Sequence, residues 1–203
     1  MIRERMKEIK EQKILELKRQ AFHAGVGILL VLFLYFEILP MWLFFVINIT
    51  GTVIYFTWEK GASKIFTWFF RHFEREHAKE GHGALSYAWG CFFTVLFFNA
   101  NTAYAAILML ALGDSVSHYV GRFYGKIKHP LNKRKKAEGT IAGVMAAFAG
   151  AVVFVPAATA FGAALVIMNT EAMEWKLGKY KIDDNLWMPL VGAVVITIIS
   201  YIF

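Results

Sequence analysis

Apolar runs divide this chain into segments that each approach the roughly 20 residues a helix needs to cross a bilayer. They fall at about 21–39, 41–58, 83–100, 102–121, 139–156, 157–173 and 187–203. A single segment crossing lipid must satisfy its own amides and carbonyls, and continuous helix does so. The expected fold is therefore an all-α polytopic transmembrane helix bundle of about seven spans. Composition agrees: 58% of the 203 residues are hydrophobic, against roughly 45–50% in soluble domains. The run at 157–173 is short, and Pro156 marks the turn before it.

Every Lys and Arg lies between the runs. Seven precede the first, five fall at 59–82, seven at 122–136 and three at 176–181, which accounts for all 22. The turns near Pro40, Ala100 and Pro156 carry none. With an odd number of spans, all four basic segments share one side. Positive-inside bias then puts the N-terminus and these loops in the cytoplasm and Phe203 outside. The net charge of +7 is thus read as topology, not as a nucleic-acid surface. The single Cys91 sits inside an apolar run, so no intrachain disulfide forms.

Residues 1–20 mix charged and apolar positions and read as a cytoplasmic amphipathic helix lying at the interface, with Met6, Ile9 and Leu17 toward lipid; a solvated helical tail is the other reading. Residues 21–203 then form the integral-membrane catalytic domain. Segment 59–82 mixes Phe66, Trp68 and Phe69 with Arg71 and Arg75, which suits a second interfacial helix. The apolar run after residue 20 lacks a small-residue cleavage site and reads as a retained first span.

Ionisable residues inside spans are costly and therefore mark function. Asp114 lies about 18 Å along the fourth run at the helical rise. Positions three, four, seven, eight and eleven further on are Ser117, His118, Gly121, Arg122 and Gly125, all on one helical face. That face leads into a loop of glycines and lysines that includes Lys126, Lys135 and Lys136. Glycine lets amides approach an anion, and lysine adds point charge, so the loop suits phosphate. It is not a Walker A loop, because three residues rather than four separate Gly121 from Gly125 and Ile127 replaces the Ser/Thr. Close helix packing is the other reading of the glycines. Glu171 ends the sixth run, and Asp183, Asp184 and Asn185 precede the seventh. Paired carboxylates at a membrane edge suit Mg²⁺ with substrate phosphates.

These residues resemble a known family. Lys18, Arg19 and Gln20 followed by His23 and Gly25 resemble the entry to the first span in CTP-dependent lipid kinases, a family that includes dolichol (polyprenol) kinase, phytol kinase and a CTP-using diacylglycerol kinase. Gly113-Asp114-Ser115 with Gly121, Arg122, Gly125 and Lys126 resembles the family's central motif. Lys135-Lys136-Ala137-Glu138-Gly139 is similar to its Lys-Ser/Thr-x-Glu-Gly motif, with Lys136 where the family commonly has Ser/Thr. Glu171 and Asp183-Asp184-Asn185 resemble its C-terminal elements.

The resemblance implies transfer of the γ-phosphoryl group of CTP to a membrane lipid alcohol. It implies Mg²⁺ on Asp114, Asp183, Asp184 and Glu171. Gly121, Arg122, Gly125, Lys126, Lys135, Lys136 and Gly139 would hold the nucleotide. Asp114, Glu138 and His118 are the expected catalytic residues, with His23, Asn185 and Ser117 near the substrate. The central motif is also similar to that of phosphatidate cytidylyltransferases, which keeps a CDP-lipid product open. A transport or scaffold role is the third reading. Nothing in the pattern fixes an oligomeric state.

Overall fold

The structure, a computed structural model, describes residues 2–57, 81–173, 176–177 and 180–202. It is helical apart from a two-residue antiparallel pair, β1 (Lys176–Leu177) and β2 (Tyr180–Lys181). The helices are α1 (Ile2–Tyr35), α2 (Met41–Thr57), α3 (His82–Phe97), α4 (Ala100–Leu108), α5 (Ser115–Phe123), α6 (Ala137–Ala151), α7 (Ala157–Glu171) and α8 (Asp184–Ile202). A π-helical segment, Met109–Asp114, joins α4 to α5 without a break. Each expected apolar run is helical over most of its described residues. Among the described residues, three stretches are long and apolar enough to cross a membrane: Lys10–Tyr35, Ala100–Phe123 and Asp184–Ile202. The expected interfacial helix at 59–82 lies outside the described residues, save for its last two positions.

The first helix differs from its expected form. Residues 1–20 were expected to lie apart at the interface, but α1 runs unbroken for 34 residues, about 51 Å at the helical rise. No proline or turn sequence interrupts it, and Glu, Lys, Leu and Gln all propagate a helix well. Glu16, Gln20, Gly27, Val31 and Leu34 are buried, a spacing that places them on one stripe. Phe22, Leu29, Leu32 and Phe33 are exposed on the remaining surface.

The α4–π–α5 rod is the centre of the bundle. Ala103, Ala105, Ala106, Ile107, Met109, Leu110 and Ala111 are each at most 1% exposed. The rod packs against α1, α6 and α8 and, through its π segment, against α7. Small residues let α6 come close. A Cβ on Gly139 would stand 2.6 Å from the Ser117 carbonyl oxygen and 2.8 Å from Gly121 Cα. One on Gly143 would meet Ser117 Cβ at 2.8 Å and the Gly113 carbonyl oxygen at 3.0 Å. Gly113, Ser117 and Gly121 thus face Gly139 and Gly143 at four-residue spacing, the small-residue seam by which membrane helices approach.

The two ends of the bundle differ in chemistry. At one end Tyr35, Tyr104 and Phe154 meet, with ring centroids 5.4–6.4 Å apart. Asn99 caps α4 there, accepting from the Thr102 amide at 3.0 Å. At the other end lie the 124–136 loop, the β1–β2 pair and the charged first half of α1.

Candidate functional site

Asp114 closes the π-helical segment, and π turns within α-helices recur at functional sites. It is buried, and two imidazoles flank it. His118, one turn on, places Nε2 3.2 Å from Asp114 Oδ1. His23 of α1 places Nε2 3.9 Å from Oδ2. The sequence put Asp114 and His118 on one face, and the structure keeps them there.

Glu171, the last residue of α7, is 1% exposed. A carboxylate buried this far needs a partner. Lys135 supplies it: its ammonium contacts the Glu171 carboxylate and donates to the Glu171 backbone carbonyl at 2.9 Å. Ser117 Oγ lies 3.5 Å from Glu171 Oε2. Ligand atoms of Asp114, His118 and Glu171 all lie within 4.8 Å of one another. Two carboxylates, an imidazole, a hydroxyl and an ammonium therefore converge from the π-helical segment, α5, α7 and the 124–136 loop.

The loop is held by its own hydrogen bonds. The His129 amide donates to the Lys135 carbonyl at 3.0 Å, and the Lys135 amide to the Asn132 carbonyl at 3.0 Å. The Leu131 amide donates to His129 Nδ1 at 3.2 Å, and the His129 side chain is buried. Glu138 accepts from the Lys126 amide at 2.8 Å and the Ile127 amide at 3.0 Å. Those amides, Lys126's foremost, hold its carboxyl below the ordinary glutamate range. Glu138 thus ties the loop to the start of α6, where a carboxylate also suits the helix dipole.

The other predicted residues take separate places. The aliphatic stem of Lys136 lies over Gly125, where a Cβ would stand 2.5 Å from Lys136 Cβ. Its ammonium is 3.5 Å from the Lys126 carbonyl oxygen. Gly121 and Gly139 form part of the helix seam. Arg122 pairs with Glu16 of α1 at 2.6 Å, and Gln20 donates to the same carboxylate at 2.7 Å. Asp183 stands outside the Asp114 group: His82 Nδ1 is 3.2 Å from its Oδ2, and its Oδ1 accepts from the Asn185 amide at 2.9 Å. Asp184 opens α8, and the Asn185 side chain donates to the Gly83 carbonyl at 3.4 Å. Among the described residues, the group within 4.8 Å is Asp114, His118 and Glu171, and neither Asp183 nor Asp184 belongs to it.

Sequence reasoning passed over Glu16, His82 and Tyr87. Glu16 carries a signal, because it precedes Gln20, His23 and Gly27 along one helical stripe. Tyr87 is 6% exposed, and its ring stands edge-on to His23 with centroids 4.7 Å apart.

No family model matches the chain, and no solved structure matches it. An uncharacterized protein of Methanocaldococcus jannaschii is 27% identical over 187 residues, covering 89% of this chain and 92% of that protein. The similarity extends along nearly the whole length of both.

Proposed function

We propose that this chain is a CTP-dependent lipid kinase that transfers the γ-phosphoryl group of CTP to a membrane isoprenoid alcohol such as dolichol or polyprenol, releasing the lipid monophosphate and CDP. The observation that carries the reading is the convergence of Asp114, His118 and Glu171 within 4.8 Å, with Lys135 on Glu171. Asp114, Lys135 and Glu171 belong to the motifs that resemble the lipid-kinase family, and His118 shares the helical face of Asp114. The site also lies where a basic loop meets the polar face of a long apolar rod, which suits a water-soluble nucleotide and a lipid-borne acceptor.

Phosphoryl transfer depends on positioning and on neutralising charge. Lys135, with Lys126 and Lys136 on the same loop, faces the phosphates. Asp114 and Glu171 offer the oxygen ligands that hard divalent cations prefer. A bound Mg²⁺ there would neutralise charge on the phosphate oxygens. The Asp114–His118 pair receives the proton of the acceptor hydroxyl: the imidazole accepts it, and the carboxylate stabilises the resulting cation. Glu138 acts on the shape of the loop rather than on the proton, since the amides of Lys126 and Ile127 occupy it.

The accompanying topology has seven spans, with the N-terminus and basic loops cytoplasmic and the C-terminus outside. The short turns around Pro40, Asn99 and Pro156 support antiparallel neighbours. The test is incubation of the purified protein in detergent with CTP, Mg²⁺ and a panel of lipid alcohols plus phosphatidate. The expected product is CDP with a phosphorylated alcohol. Pyrophosphate with a CDP-lipid would mean a cytidylyltransferase, and neither product would remove the enzymatic reading.

A further inference from the structure

Among the described residues, two buried hydroxyls near Asp114 have no hydrogen-bond partner: Tyr87 Oη on α3 and Ser115 Oγ at the start of α5. Leaving a buried hydroxyl unpaired costs stability, so such a group wants a reason. Tyr87 carries the stronger case. Its ring is fixed by the edge-on contact with His23, and His23 is itself 3.9 Å from Asp114. Its hydroxyl points into the seam between α1 and the π-helical segment. A Cβ on Gly27 would stand 2.3 Å from Tyr87 Oη and 2.4 Å from Ala111 Cβ. The absence of a side chain at Gly27 is what admits the phenol oxygen.

The order along the central rod gives the position meaning. Ala111, beside the phenol, precedes Asp114 in the rod. Ser117 and His118, beside Glu171, follow it, and the basic loop comes after those. The unpaired phenol therefore lies on the apolar side of Asp114, and the ammonium of Lys135 lies on the loop side. Near the phenol the surroundings are the glycine and alanine of the seam, with the sulfur of Cys91 one turn along α3. A neutral donor in such a setting suits a neutral hydroxyl on an apolar tail, not a phosphate.

We infer that Tyr87 is the acceptor-binding residue: its phenol hydroxyl hydrogen-bonds the hydroxyl of a long-chain membrane alcohol and holds it on the bilayer side of Asp114. Resting on the kinase reading, the inference gives that reaction an entry side for each substrate. The nucleotide comes through the basic loop and the alcohol between α1 and the π-helical segment, which must part there because Gly27 packs closely on Ala111.

The test compares wild type with Tyr87→Phe, which removes one oxygen and keeps the ring against His23. Two readouts are taken in the same detergent. The first is the thermal shift produced by a C15–C55 prenol series without nucleotide. The second is CDP release, with KM determined separately for the alcohol and for CTP. The expected result is that prenols raise the Tm of wild type and raise that of Tyr87→Phe by half or less. KM for the alcohol should rise about tenfold, the scale of one lost hydrogen bond, with KM for CTP unchanged. Equal prenol shifts in the two proteins would overturn the inference, as would a wild type that no prenol stabilises. The thermal shift needs no turnover. A protein that binds prenols through Tyr87 but releases no CDP would therefore refute the kinase reading and leave the alcohol site standing.

Discussion

The protein has two carboxylate sites that look alike in sequence and differ in surroundings. Asp114 and Glu171 are 8% and 1% exposed and are met by two imidazoles and a lysine. Asp183 is partly exposed and takes its Oδ2 contact from His82, whose side chain is half-exposed at 51%. In the first site the helices force charge into a place where only pairing makes it tolerable. In the second, water does much of that work and the pair is worth little. The lesson is that the Asp-Asp-Asn string, which reads as the richer metal motif, is used at least in part to begin α8: the Leu186 amide donates to the Asp183 carbonyl at 3.1 Å. The chemistry gathers instead around a lone aspartate in an apolar run.

That contrast can be broken by substitution. Asp114→Asn should lower turnover by about a hundredfold or more, the scale of lost acid–base support, while the protein stays folded by size exclusion; near-wild-type CDP release would remove Asp114 from the mechanism. Lys135→Met leaves Glu171 buried and unpaired, and should destabilise by about 3–5 kcal/mol. Combining it with Glu171→Gln should restore much of the unfolding temperature without restoring activity. Asp183→Asn should cost at most about 1 kcal/mol and change turnover only a few-fold. If it were as damaging as Asp114→Asn, the two sites would act as one.

Glu138 supplies a pH-dependent control. Its folded carboxyl titrates below the unfolded value because amides bind the charged form. The tie to Lys126 and Ile127 is therefore complete above the ordinary glutamate pKa of about 4.3. It weakens as pH falls through the lower folded value. Acid-stable proteolysis across that interval should cut the 124–136 loop progressively faster in wild type. Glu138→Gln, which keeps the shape and removes the charge, should show a flatter profile. The smallest effect concerns the membrane, not the site: a tag after Phe203 should be labelled from outside the cytoplasm, and labelling only from the cytoplasmic side would break the seven-span topology.

Much of the helical plan was legible because lipid leaves the backbone few choices. The Asp114–His118 contact was legible for a local reason, since residues four apart on a helix are neighbours. Glu171 was legible as a carboxylate at the end of the sixth run, whereas His23 entered the site only through family resemblance. Nothing local in α7 says that its last carboxylate will meet Lys135, 36 residues earlier. The pairing of Glu16 with Arg122, 106 residues apart, is likewise set by how α1 lies along α5. The separation of Asp183 from Asp114 could not be read from spacing, because it depends on α3 bringing His82 to the start of α8. The charge pattern of residues 1–20 suggested a separate helix. Amphipathicity reports which faces differ in polarity, but it does not say whether a helix bends away from its continuation.

The glycine seam between the rod and α6 has one more consequence. The breadth of the Asp114 site depends on how near two helix axes can come, and that clearance is set by hydrogens on Gly139 and Gly143 where methyls would otherwise stand. It works as a mechanical spacer. Salt can weaken the exposed His82–Asp183 contact, and acid can discharge a carboxylate, but neither changes the thickness of a glycine.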